Sequence, residues 1–150
     1  MEFEKFTPKY RAVLRNEKIK LFTPNDEIII SSQINFDIKN SEKSSLDYLA
    51  SGLLGGVLAG IYELAKFKKI AILEMEGKIK FEISNSLSIL NVIGYDDSPK
   101  IEFCEMKIYI SSDMSDEKFS EFTNEALRRN LIYQTLQKSL NLRIKFEQII

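Results

Sequence analysis

A chain of 150 residues suits one domain, 1–150, able to bury roughly 70% of its unfolded surface. Its formal net charge is −1 and its lysines and arginines are scattered, so nothing favours a nucleic-acid partner. Histidine is absent and cysteine occurs once, which excludes Ser–His and Cys–His catalysis, histidine-ligated metal and an intrachain disulfide.

Met1 is followed by charged residues rather than an apolar run, so no signal peptide is expected. The lone cysteine points to a reducing, cytoplasmic setting. Tyr10 to Leu14 and Ile19 to Phe22 read as strands around the turn Arg15-Asn16-Glu17-Lys18. Thr23-Pro24-Asn25-Asp26 is a second turn, and Glu27 to Ile38 reads as a strand. Lys39 to Ser45 is polar and loop-like. Ser44 is placed to cap a helix, with Asp47 completing a capping-box pattern.

Leu46 to Phe67 is the longest apolar stretch. Leu46, Leu49, Leu53, Val57, Ile61 and Leu64 recur at helical spacing. The other side carries Gly52, Gly55, Gly56, Ala59 and Gly60. A helix-interior glycine costs roughly 1 kcal/mol, so close approach of another backbone is the expected compensation. The uncharged run, Tyr48 to Tyr62, is fifteen residues, short of the roughly 17–25 a membrane span needs. A buried helix is therefore expected, with no membrane partner.

From Leu73, apolar Met75, Ile79, Phe81 and Ile83 alternate with Glu74, Glu76, Lys78, Lys80 and Glu82, a strand with one wet face. Gly77, on the apolar parity, suggests a bend or bulge. Leu87 to Ile93 reads as a strand, and so does Ile101 to Ile110, with a turn at Gly94 to Lys100. Ser115 caps a helix carrying Phe119, Phe122, Ala126 and Leu127. Leu131 to Leu140 reads as helix and Leu142 to Ile149 as a closing strand. The order implies an α+β fold, antiparallel sheets around a long buried central helix. One chain has little to cover both sides of that helix, so an intertwined homodimer is expected.

The order and two motifs resemble the OsmC/Ohr family (osmotically inducible protein C, organic hydroperoxide resistance). That family opens its central helix roughly as E-L-L-x-A-A-L-x-x-C. The corresponding run is Asp47-Tyr48-Leu49-Ala50-Ser51-Gly52-Leu53-Leu54-Gly55-Gly56. Its acidic position falls on Asp47 and its cysteine position on Gly56. The second motif, C-P-[VI], corresponds to Asn130-Leu131-Ile132, with Asn130 at the cysteine position. The resemblance spans about Ser45 to Phe146 and implies an OsmC-like fold. In the family the first cysteine is a thiolate nucleophile, activated by an arginine and the acidic residue, and the second resolves it. No local motif fixes Arg11 or Arg15 as that arginine. Without sulfur at Gly56 or Asn130, the peroxide cycle is not expected, because sulfur is the atom oxidised.

The expectation is a stress-response relative without catalytic residues, cofactor or metal. It would bind a small apolar ligand or act through its dimer surface. The alternative is a thiol-dependent hydroperoxide reductase using Cys104. Against it, Cys104 lies beside Met106 and Ile108 on one strand parity, and free cysteine is usually buried. Asp47 and Asn130 have simpler readings as helix caps. Glu74, Glu76 and Glu82 share a face with lysines and read as solvated surface. Asp96-Asp97 and Asp113/Asp116 lack EF-hand spacing.

Overall fold

The computed structural model describes residues 5–37, 39 and 41–150. The chain divides into two compact units, one ending at Leu49 and the other beginning at Ala50.

The first unit holds a three-stranded antiparallel sheet of β1 (Arg11–Arg15), β2 (Lys18–Phe22) and β3 (Glu27–Ile30). Asn16 and Glu17 link β1 to β2 with φ of 54° and 63°. Two successive left-handed residues make the tight hairpin turn whose twist matches the strands. At the next turn the Thr23 hydroxyl donates to the Asp26 carbonyl at 2.9 Å and accepts from the Asp26 N–H. β3 stops at Ile30, earlier than the expected Ile38. Beyond it the chain bonds sideways to the polar loop: Ser31 N–H donates to the Lys43 carbonyl and Ser45 N–H to the Ser32 carbonyl. Ile38 itself lies outside the described residues.

The central helical run opens with α1 (Ser45–Ala50). The expected capping box is present. Asp47 N–H donates to Ser44 Oγ at 3.2 Å, and Ser44 N–H donates to Asp47 Oδ2 at 2.8 Å. A π-helical turn, Ser51–Gly55, leads into α2 (Gly56–Lys68). The run of 24 residues is long and apolar enough to cross a membrane by length and composition alone, which the shorter uncharged stretch did not suggest. Core helices of soluble proteins pass the same test. α2 ends at left-handed Lys69, where Ile70 N–H reaches back to the Ala65 carbonyl at 2.9 Å.

The second unit is built on β4 (Glu74–Ser84), β5 (Lys100–Ser111) and β6 (Leu142–Ile149), with β5 central. Its core joins Leu53, Val57, Ile61, Leu64 and Ala65 of the helical run to Cys104, Met106, Ile108 and Ile110 of β5. Phe122 and Ala126 of α3 (Asp116–Arg128) complete it. Each of the Leu, Val, Ile, Met and Phe side chains among them, fully buried, stabilises by about 1.5–3 kcal/mol. A short α4 (Leu131–Leu136) follows α3.

Three expectations change. β6 pairs with β5 in parallel, Cys104 opposite Leu142 through Ser111 opposite Ile149, so this sheet is mixed rather than antiparallel. The connection through α3 and α4 is long enough for the crossover that parallel pairing needs, and side-chain alternation carries no strand direction. Leu87 to Ile93 is not a strand: Ser86–Leu90 is a 3₁₀ turn between left-handed Asn85 and Asn91. Gly77 makes no bulge; the register shifts between Glu82 and Ile83. Instead, a Cβ on Gly77 would lie 2.6 Å from Leu54 Cδ1, so the glycine admits the helical run close to β4. The helical run of the second unit keeps exposed positions. Gly52 and Gly55 are exposed, and Tyr62 is 53% exposed.

Candidate functional site

Two positions singled out by sequence meet in the second unit. Asn130 sits between α3 and α4 and is 8% exposed. Its Oδ1 accepts from Tyr133 N–H at 3.0 Å, which makes it the N-cap of α4. Its Nδ2 donates to the Gly56 carbonyl at 3.0 Å. A donor on one side and an acceptor on the other fix the orientation of the amide. One side chain thus starts a helix and ties it to the first residue of α2.

Gly56 follows the π turn, and its N–H faces the carbonyls of Gly52 and Leu53. A Cβ built on Gly56 meets nothing within 4 Å. Crowding within the chain therefore does not require glycine there. The contact with Asn130 runs through the backbone carbonyl and not through the space a side chain at 56 would enter. Gly60, one turn on, is different. A Cβ there would stand 3.0 Å from Asn130 Nδ2. Its glycine leaves room for the amide, a role helical periodicity did not signal.

Cys104 is fully buried in the centre of β5, opposite Phe81 and Leu142. Burial pushes its thiol up to about 11. At neutral pH only about one in ten thousand such thiols is ionised, and the thiolate is the nucleophile. Asp47 belongs to the first unit, where its carboxylate is engaged by the cap of α1. Arg11 and Arg15 share a face of the first sheet with Val13, Lys18, Lys20 and Phe22. Arg11 lies 5.5 Å from the Phe22 ring centre, and these residues line a groove of about 410 Å³. Among the described residues no cluster of acidic and cysteine side chains could hold a metal ion.

α2 is also joined to α3 by charge, through Glu125. Lys68 Nζ is 2.9 Å from Glu125 Oε1, and Arg129 Nε is 3.5 Å from Glu125 Oε2. The hydrogen bond from Lys68, above all, holds the Glu125 carboxyl below its ordinary value.

No family model and no curated protein sequence matches the chain. Solved structures do. An OsmC-like protein from Mycoplasma pneumoniae is similar at a TM-score of 0.72 and 19% identity, covering 97% of this chain and 98% of that one. An organic hydroperoxide resistance protein OsmC from Legionella pneumophila is similar at 0.62 and 8% identity, covering 99% and 100%. The organic hydroperoxide resistance protein OhrB of Bacillus subtilis is similar at 0.56 and 16% identity, covering 96% and 98%. Coverage is near complete in both directions. The chain therefore has the fold of the OsmC-like and organic hydroperoxide resistance proteins.

Proposed function

We propose that this is a divergent OsmC/Ohr protein of the peroxide-reducing superfamily that has lost the catalytic cysteine pair and works without catalysis. It acts as a cytoplasmic homodimer that binds a small apolar ligand or presents its dimer surface to a partner. The observation that carries the reading is the Asn130–Gly56 hydrogen bond. The two positions matched to the family cysteines are joined by that bond, through the backbone carbonyl of Gly56, and neither bears sulfur. The buried, un-ionised Cys104 is a poor substitute.

Support for the dimer comes from the helix. Gly52, Gly55 and Gly56 have open space where their Cβ atoms would be, and Tyr62 and Leu131 are exposed nearby in sequence to that contact. Flat, side-chain-free helix faces allow backbones to approach closely. Neither nucleic acid nor a membrane belongs to this reading. Native mass spectrometry tests it: the expected species has twice the 17.4 kDa chain mass. Extra mass released by organic solvent would identify the ligand-binding version. A monomer at micromolar concentration contradicts the proposal.

A further inference from the structure

The solvent face of the second sheet carries a charge arrangement that only the strand register reveals. Lys78 on β4 stands opposite Lys107 on β5, and Lys107 stands opposite Lys145 on β6. All three are exposed and point to the same side. Neighbouring strands lie about 4.8 Å apart, so three ammonium-bearing side chains occupy a row roughly 10 Å long. Like charges directly opposite one another are destabilising. Among the described residues no carboxylate comes within ion-pair distance of these three, although the neighbouring Lys80 is paired with Glu105 at 3.3 Å. Lys107, in the middle, is held 5.3 Å over the Tyr109 ring. Lys78, Lys80, Glu105, Lys107 and Lys145 line a groove of about 330 Å³.

We propose that this row binds a soluble phosphate monoester. The positive stretch is short. Glu76 and Glu147 close it on one side, and on the other Glu105 stands between Lys80, with which it is paired, and Arg143, so the unpaired positive stretch suits a compact anion. A phosphate monoester brings about −1.5 to −2 charge at pH 7 and three acceptor oxygens, which match three lysine donors. A lipid headgroup offers the same chemistry. A membrane would also need large exposed apolar side chains beside the row, and among the described residues of the three strands the one such residue is Ile149, at the far end of β6. The row shares no residue with the Gly56–Asn130 contact.

The test is a backbone-amide NMR titration with inorganic phosphate at constant ionic strength. The expected result is saturable shifts centred on Lys78, Lys107 and Lys145. Affinity should fall about tenfold in Lys107→Gln, as for loss of one charge-assisted hydrogen bond, and stay unchanged in Lys100→Gln. Lys145→Gln serves if Lys107→Gln does not fold. Non-saturating shifts spread over surface lysines, or equal binding by wild type and both row variants, overturn the site. Sedimentation with phosphatidate vesicles without saturable phosphate binding overturns the assignment to a soluble ligand.

Discussion

Asn130 donates its side-chain amide to the carbonyl oxygen of Gly56 at 3.0 Å while its Oδ1 caps α4 through Tyr133 N–H. The two bonds can be separated by substitution. Asn130→Ala removes both, and the expected loss is about 2 kcal/mol, one part cap and one part cross-tie. Asn130→Asp keeps the cap acceptor but turns a carboxylate oxygen toward the Gly56 carbonyl, so it too should destabilise. Urea unfolding of the two variants beside wild type measures this. Equal stability of all three would show that the cross-tie contributes nothing.

Gly60 and Asn130 should be energetically coupled. Alanine in a helix interior is favoured over glycine by roughly 1 kcal/mol. In the Asn130→Ala background Gly60→Ala should gain about that much. In wild type the new methyl meets the amide at 3.0 Å, and the gain should shrink or reverse. A double-mutant cycle reads the difference, and perfect additivity would refute the contact.

Gly77→Val should destabilise by about 1–3 kcal/mol through overpacking, because even a Cβ there falls 2.6 Å from Leu54 Cδ1. β-propensity alone predicts the opposite sign, since valine is a better strand residue than glycine. The thermal midpoint of the variant decides between the two.

Thiol chemistry should differ sharply between two positions. Cys104, buried and with its thiol raised to about 11, should resist a maleimide in the native protein and react on unfolding. Gly56→Cys should fold, because its Cβ meets nothing within 4 Å, and its thiol should be labelled whenever that helix face is uncovered. Mass spectrometry of the labelled chain counts the reacted thiols.

Acid should loosen the tie between α2 and α3. Glu125 has its folded pKa depressed by Lys68. Its contribution is therefore present above the unfolded carboxyl value of about 4.3 and is lost as pH falls through the lower folded value. Glu125→Gln should show a shallower fall in stability across that acid range than wild type, as followed by urea midpoints at several pH values. An unchanged slope would mean that the pair is fully screened by solvent.

Local chemistry was the part most legible in the residues. Ser44 with Asp47 three positions on, Ser115 before an acidic first turn, and Asn130 before an apolar turn all announce helix starts. Each cap is formed. The alternation of Glu74 to Ser84 gave its strand because one face is wet. What needs two distant segments at once was hidden. The direction of β6 depends on its crossover, the role of Gly77 on where Leu54 lands, and the lysine row on register across three strands. The asparagines at 85 and 91 stop a strand only by adopting positive φ, which apolar pattern does not reveal. At the candidate site Gly56 and Asn130 could be singled out from the residues, and the hydrogen bond that joins them could not.

The most direct measurement is hydroperoxide turnover by the purified chain, with tert-butyl hydroperoxide as oxidant and a dithiol as reductant. The reading of Gly56 and Asn130 as vacated sulfur positions predicts a rate no greater than that of the dithiol alone. Turnover above that background which disappears in Cys104→Ser would contradict it, and would place the working sulfur in the strand core after all.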